Sequence, residues 1–391
     1  MLLQLSDDLS SGGMYLDLIE EFRDHGHDVT IVAPCNKGRK SGVSCDCGFR
    51  ILRVESLPTQ DVRNMIKKGF ALAMLPLYYK KAYEKHLIEE KFDWIFMPTP
   101  PITLSSFIRF IKRRSGAGFY LILRDIHPQS AWSIGLIKYR WMFRYLDRKA
   151  RIGYNAADVI GCMSKANISY VENLYPGLKI GRLELLYNWQ KYAERSDLND
   201  EVREKYGLSG KILALFGGTI GMGQRVENIV SLASHSRNNK NLVFVIIGKG
   251  VAKDRLSRLV SENNLNNVLI LDFMPRNDYL SFVNSVDIGL ISINENYKVP
   301  TCPSKAVSYM ALGIPIFAMI NEGNDYGSII ENDAGAGYCT EGGNSIDFEK
   351  FDRMVADEEL RLRMGANGYL FYKQYLTSEV AYNSIMRQIS E

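Results

Sequence analysis

Residues 211–236 read KILALFGGTIGMGQRVENIVSLASHS. The run Ile212–Phe216 is uniformly apolar, as expected of a strand buried on both faces. Gly217, Gly218, Gly221 and Gly223 then turn the chain, and a helical pattern begins at about Gln224. Strand, glycine turn and helix together present main-chain amides and a helix N-terminus to a phosphate. Glycine suits that task because no Cβ blocks a ligand approaching the backbone. An ordinary tight βα turn has the same pattern, and a second copy of the unit favours the phosphate-binding reading.

It recurs at the start of the chain. Leu2–Leu5 is a short strand, and Ser6–Gly13 a polar loop carrying Gly12 and Gly13. A helix follows with Leu16, Ile19 and Phe22 on one face, Gly26 stops it, and Asp28–Ala33 is the next strand. The glycine turn thus lies at the carboxyl end of strand one, where open α/β sheets bind ligands. Further strands are expected at Phe49–Val54, Asp93–Met97, Tyr120–Leu123, Asp158–Met163 and Leu183–Tyr187, with Ser164 as a helix N-cap. A polar stretch, Lys191–Glu204, reads as an interdomain crossing. Beyond it, strands at Leu242–Ile247, Val268–Leu271, Asp287–Ile293 and Pro315–Ile320 alternate with amphipathic helices, which means a parallel sheet covered on both faces. The tail from Gly368 has helical spacing and reads as a helix packing back on the body.

Composition is that of a folded soluble chain: 391 residues, 46% apolar, 24% charged, net charge +4. The length implies two domains. The charge gives no basis for nucleic-acid binding. No apolar run approaches the ~18 residues that span a bilayer. The N-terminus lacks the basic start of a signal peptide. Six cysteines, of which only Cys45 and Cys47 are close, read as reduced thiols rather than a zinc site.

Two local features carry chemistry. Arg124-Asp125-Ile126-His127-Pro128-Gln129-Ser130 crowds charged and imidazole groups just past a strand end, where a cleft residue would sit; a lone loop histidine is also a common surface hydrogen-bonder. Val299-Pro300-Thr301-Cys302-Pro303-Ser304-Lys305 opens a helix ending at Gly313, with Pro303 in its first turn. Lys305 there has the wrong sign for the helix dipole, which makes sense if an anion such as a diphosphate lies beside it. A third feature is Lys67–Lys81, where lysines bracket an apolar centre with aromatics. That pattern suits the headgroup boundary of an anionic membrane, or else a helix pair packed on the sheet.

With both halves in view, the chain resembles the family 4 glycosyltransferases, over nearly its whole length. The matching motifs are Gly12-Gly13 with Glu21–Val32, Arg124–Ala131, Leu186–Trp189, Gly217–Gly221 with Gln224, Ile246–Gly250, and Val299–Lys305 continuing through Tyr309–Ile316. Several motifs in order are specific where one glycine turn would be weak. The resemblance is nearest to the branch building bacterial O-antigen, capsule or colanic-type polysaccharide, the relatives of an L-fucosamine transferase.

The family implies an α/β GT-B fold: two Rossmann-like domains with parallel sheets facing a cleft, the C-terminal helix packing back on the N-terminal domain. Residues 1–188, completed by 370–391, would bind the acceptor, and 189–369 the nucleotide. It implies retaining transfer of a sugar, an N-acetylated or deoxy amino sugar, from a UDP-sugar, with no cofactor and no required metal. The acceptor would be a polyprenyl-diphosphate-linked saccharide, met at the inner face of the cell membrane through Lys67–Lys81 by a cytoplasmic, peripheral protein.

Arg124, Asp125, His127 and Lys305 are the expected catalytic residues. Gly218, Thr219, Gly221, Gln224, Arg225, Gly248, Lys249, Met274, Pro303, Ser304, Lys305 and Ser308 are expected on the donor side, Gly12 and Gly13 on the acceptor side. The family's acidic pair falls on Pro300 and Ser308, so Ser308 or Glu295 would take the ribose. Two rival readings are a non-hydrolysing UDP-sugar 2-epimerase and a catalytically silent, membrane-docking glycosyltransferase-like subunit. A dinucleotide dehydrogenase is disfavoured, since neither turn gives G-x-G-x-x-G with an acidic residue ~20 on.

Overall fold

The computed structural model describes residues 1–3, 7–9, 12–36, 38–58, 65–191 and 200–390. Parts of the first expected strand and loop (Gln4, Leu5, Ser6, Ser10, Ser11) and most of the expected crossing (192–199) lie outside the described residues. The chain forms two compact units, Met1–Tyr187 with Ala381–Glu391, and Asn188–Val380.

The first unit opens with β1 (Leu2–Leu3), α1 (Met14–Asp24), β2 (Thr30–Pro34), β3 (Gly42–Asp46), β4 (Phe49–Val54) and α2 (Met65–His86). It continues through β5 (Trp94–Thr99), α3 (Ser105–Ser115), β6 (Gly118–Leu123), α4 (Gln129–Ser133), α5 (Arg140–Ala156), β7 (Val159–Cys162), α6 (Lys165–Leu174) and β8 (Arg182–Leu185). Among the described residues the sheet order is β3-β4-β2-β1-β5-β6-β7-β8. Every pairing is parallel except β3 with β4. The order reverses between β1 and β5, so the carboxyl ends of these strands form a switch point of the kind where such sheets bind ligands.

The second unit holds α7 (Asp200–Lys205), β9 (Ile212–Gly217), α8 (Val226–His235), β10 (Leu242–Ile247), α9 (Lys253–Glu262), β11 (Val268–Leu271) and α10 (Arg276–Val283). Then come β12 (Ile288–Ser292), α11 (Lys305–Ala311), β13 (Ile316–Ile320), α12 (Tyr326–Ser328), β14 (Gly337–Glu341), α13 (Phe348–Ala356) and α14 (Glu358–Tyr375). A last helix, α15 (Ser378–Ile389), carries the chain into the closing segment of the first unit. The sheet runs β11-β10-β9-β12-β13-β14, all parallel, reversing between β9 and β12. Its inner strands β9, β10, β12 and β13 are almost wholly apolar and buried, and Phe244 and Phe317 on the sheet pack on Phe351 of α13, ring centroids 5.8 and 5.0 Å apart.

Four local differences from the sequence reading have plain causes. In α1 the inward stripe is Leu18, Ile19 and Phe22, leaving Leu16 half-buried. Asp200–Lys205 is helix, not crossing: Arg203 is buried and bonds Ser285 O and Asp287, anchoring α7 to the second unit. Strands β3 and β14 escape a hydrophobic-pattern search because each is a sheet edge with polar positions. Pro303 sits just ahead of α11 rather than in its first turn, with Ser304 as N-cap.

Of the tail expected to complete the first unit (370–391), residues 381–391 join it, whereas 370–380 belong to the second unit. Tyr382 stacks on His25 with centroids 4.1 Å apart, meets Phe22 edge-on at 5.1 Å, and shares a 2.9 Å hydrogen bond with His27 Nε2. Lys67–Lys81 lies within the single helix α2. Its Ala71, Leu75, Tyr79 and Tyr83 are buried at i, i+4 spacing, while Phe70 and Leu77 face solvent. Among the described residues no helix is long and apolar enough to cross a membrane.

Candidate functional site

In the second unit the two glycine turns are laced together. The Gly218 amide donates to Ile247 O at 2.8 Å, the Ile220 amide to Lys249 O at 2.9 Å, and the Ala252 amide to Ile220 O at 3.0 Å. The pairing of β9 with β10 therefore continues past the strands. A Cβ on Gly248 would lie 1.8 Å from Gly218 O, and one on Gly250 2.2 Å from Ile220 O. Glycine is needed there so that one main chain can lie against another. This corrects one expectation: the amides of Gly218 and Ile220 are spent on the neighbouring turn, and that of Gln224 on Gly221 O. Gly218 and Thr219 stay exposed at the end of β9.

Lys305 opens α11 directly against this loop. Its Nζ lies 3.7 Å from the centroid of the Phe216 ring and donates to Gln224 Oε1 at 3.0 Å. Burial alone pulls its pKa down to about 7. A cation taken from water without a carboxylate partner loses hydration it does not regain. The ring face returns part of that loss.

Arg225, the N-cap residue of α8, is held by the carboxylates of Glu295 and Glu227. Glu295 takes Arg225 on Oε1, and its buried Oε2 has no partner among the described residues. Beneath, Asn228 Nδ2 donates to Ser292 Oγ at 3.0 Å, and Asn228 Oδ1 accepts from the Gly343 amide at 2.9 Å. Ser308 Oγ donates to Gln190 Oε1 at 2.8 Å. Of the two candidates for the ribose, Glu295 therefore keeps acceptor capacity and Ser308 is engaged. Lys249 lies over the exposed ring of Phe273, 4.9 Å from its centroid, and Met274 follows half-buried.

The loop ahead of Lys305 is fixed from two sides. Asn324 Nδ2 donates to Thr301 O at 2.9 Å, and the buried Asn188 Nδ2 to Cys302 O at 2.8 Å. Asn188 and Phe216 were not among the expected site residues. In the sequence Asn188 stands only as part of the Leu186–Trp189 motif, and Phe216 only as a strand residue.

In the first unit, Arg124 follows β6. Its guanidinium donates to Leu186 O at 2.7 Å and Tyr187 O at 3.3 Å, pinning the chain after β8, and its amide donates to Thr99 Oγ1 at 3.2 Å. Asp125 and His127 lie close enough to act on each other. Burial raises the carboxyl of Asp125, with Ser130 and His127 opposing; burial lowers the imidazole of His127, with Asp125 opposing. Both shifts favour neutral groups. Gln129 Nε2 reaches Asp147 Oδ1 and the Tyr175 hydroxyl, each at 3.1 Å, tying this loop to α5 and α6. Gly13 caps α1, its carbonyl accepting from the Asp17 amide at 2.9 Å, and Gly12 adopts φ 67°.

Residues 199–371 match the family of glycosyl transferases group 1. That stretch is a group 1 glycosyltransferase domain. The group 1 domain thus contains both glycine turns, Lys305, Arg225 and Glu295. Among curated proteins, WcaI of Escherichia coli, named as a glycosyl transferase of colanic acid biosynthesis, is 22% identical over 64% of this chain and 62% of its own length. A Campylobacter jejuni protein, N-acetylgalactosamine-N,N'-diacetylbacillosaminyl-diphospho-undecaprenol 4-alpha-N-acetylgalactosaminyltransferase, is 26% identical over 63% of this chain and 62% of its own. The chain therefore spans about three fifths of the length of these relatives. Among solved structures, HepE of Anabaena in complex with UDP and glucose superposes with a TM-score of 0.69 at 12% identity, covering 100% of this chain and 98% of that one. The fold is that of the GT-B glycosyltransferases.

Within the group 1 domain, the structure brings together Gly218, Gln224, Lys305, Gly248 and Lys249 around the paired turns. Arg225 is turned to Glu295 and Glu227. Asp125 and His127 are neighbours in the first unit, while Arg124 supports their loop from the main chain of Leu186 and Tyr187.

Proposed function

We propose that the protein is a retaining glycosyltransferase that moves a sugar from a UDP-sugar to a polyprenyl-diphosphate-linked saccharide in bacterial surface polysaccharide synthesis. The observation that carries this reading is Lys305, a lysine with no carboxylate partner among the described residues, beside paired glycine turns in a group 1 domain. A diphosphate would supply the missing counter-charge. The UDP held by HepE supports the choice of nucleotide, and the name of the Campylobacter relative supports a lipid-linked acceptor.

The reaction breaks the bond between the sugar C1 and the β-phosphate oxygen and forms one from C1 to the acceptor oxygen on the same face. The acceptor proton leaves on the departing phosphate. Stabilising that leaving charge matters more than a strong base. Lys305 does so, Glu295 receives a ribose hydroxyl, and the Asp125–His127 pair orients the acceptor hydroxyl. No metal is assigned a role.

The test is turnover of UDP-sugars with extracted polyprenyl-diphosphate saccharides as acceptors. Lys305→Ala should lower kcat by at least ~100-fold, the scale of removing one preorganised donor. Normal turnover in that variant refutes the role of Lys305. Interconversion of UDP-sugars without acceptor would instead support an epimerase, and no turnover with any pair a silent subunit.

A further inference from the structure

One surface of the first unit is used by none of this chemistry. Between residues 132 and 148, Trp132, Leu136, Tyr139, Trp141 and Tyr145 are all exposed. Tyr139 is 62% exposed and Trp141 69%, with ring centroids 6.4 Å apart. Trp132 packs on Phe143 at 5.1 Å, so the patch has a definite shape. Exposed Lys138, Arg140, Arg144 and Arg148 lie among these rings.

On α5 the three arginines stand four residues apart and share a stripe, with Trp141 and Tyr145 on the adjacent one. Like charges at that spacing repel. Arg140 also opens the helix, where a cation opposes the dipole. The one carboxylate in α5, Asp147, faces inward, accepting from Gln129 and the Tyr175 hydroxyl and pairing with Arg151. In water this face exposes aromatic area and suffers self-repulsion. At an anionic bilayer both penalties reverse: Trp and Tyr rings settle at headgroup level and each cation is attracted. On α2, by contrast, much of the apolar centre goes into the core.

We propose that residues 132–148 dock this unit on an anionic phospholipid bilayer, with Tyr139 and Trp141 among the headgroups and Arg140, Arg144 and Arg148 over lipid phosphates. The docking site of the sequence reading thereby moves from α2 to α5. For its purpose the inference rests on the reading of a lipid-linked acceptor. The acceptor loop is joined to the docking helix by the Gln129–Asp147 hydrogen bond.

The full chain is sedimented with vesicles of phosphatidylglycerol and phosphatidylcholine, and with phosphatidylcholine alone. Binding is expected only to the anionic vesicles, falling with salt. Arg140→Gln/Arg144→Gln/Arg148→Gln should lower partitioning roughly 100-fold, about fivefold per cation. Trp141→Phe should abolish most of the blue shift in tryptophan emission. Lys67→Gln/Lys81→Gln should cost less than the arginine variant does. Matched circular dichroism shows that the variants fold. No binding to anionic vesicles, unchanged binding by the triple variant, or a dimer that Trp141→Ala abolishes each overturns the proposal. Transfer to a detergent-solubilised acceptor is scored separately. Transfer without vesicle binding sinks the docking surface and leaves the function; binding without transfer does the reverse.

Discussion

Lys305 Nζ sits 3.7 Å above the centre of the Phe216 ring, with Gln224 Oε1 its neutral acceptor at 3.0 Å. A cation so placed is costly when the site is empty and useful when an anion arrives. Burial lowers its pKa to about 7, so folding favours the neutral amine. Because this pKa is depressed below that of the unfolded chain, the unfolded state binds the extra proton between pH 7 and about 10. Stability from this group therefore rises with pH across that window and is lost as pH falls through 7.

Bound UDP should pull the Lys305 pKa back up, so binding above pH 7 takes up a proton. Calorimetry at pH 8 in buffers of different ionisation enthalpy should register close to one proton absorbed, and much less at pH 6. UDP affinity should fall by up to about tenfold per pH unit above neutrality. Lys305→Met should remove the uptake while raising the melting temperature of the empty protein. A variant that loses stability as well as affinity would assign Lys305 a structural role instead.

Glu295 supplies the second prediction. Its Oε1 is committed to Arg225, while Oε2 is buried with no partner among the described residues, a costly arrangement unless a donor arrives. A ribose hydroxyl fits. The protein should bind UDP at least ~10-fold more tightly than 2′-deoxy-UDP, the scale of one hydrogen bond to a charged group. Glu295→Gln should bring the two affinities within about twofold. If the ratio survives, the ribose is held elsewhere, whatever happens to absolute affinity.

Gly248 tests the pairing of the turns. Its would-be Cβ meets Gly218 O at 1.8 Å, and main-chain atoms cannot step aside as a side-chain tip can. Gly248→Ala should cost about 1–3 kcal/mol in the urea transition of the second unit, in the range of overpacked cores. UDP affinity should fall with it. Gly221→Ala, where the nearest atom is a Thr219 methyl carbon at 3.5 Å, is the matched control and should be nearly silent.

The sequence made the sheets readable where strands are apolar throughout: Leu242–Ile247 and Val268–Leu271 are found at the expected bounds. It hid β3 and β14, whose edge positions leave polar residues that no period distinguishes. The site was legible as motifs, since glycine turns and a lysine opening a helix are local features. What each residue touches was not. That Phe216 faces Lys305, that Asn188 holds Cys302, and that Arg124 spends its guanidinium on carbonyls all depend on contacts between elements far apart in sequence.

Glu184 lies on β8 and yields a prediction about the first unit alone. Burial raises its carboxyl from 4.5 to about 7, against the opposing effects of the Tyr120 hydroxyl, Arg182 and Arg387. Tyr120 donates to Glu184 Oε1 within the sheet face. A carboxyl whose pKa is raised on folding contributes stability that is full below the unfolded pKa and lost as pH climbs through the folded one. Between about pH 5 and 8.5 the first unit should lose up to roughly 3 kcal/mol from this group, at ~1.4 kcal/mol per pKa unit. Glu184→Gln keeps an oxygen to accept from Tyr120 and removes the titration. Its urea midpoint should therefore be flatter across that range and exceed the parent's at pH 8.5. A parent whose midpoint is level from pH 5 to 8.5, or a glutamine variant that follows the parent's decline, would show that the carboxyl stays hydrated and ionised in the folded sheet.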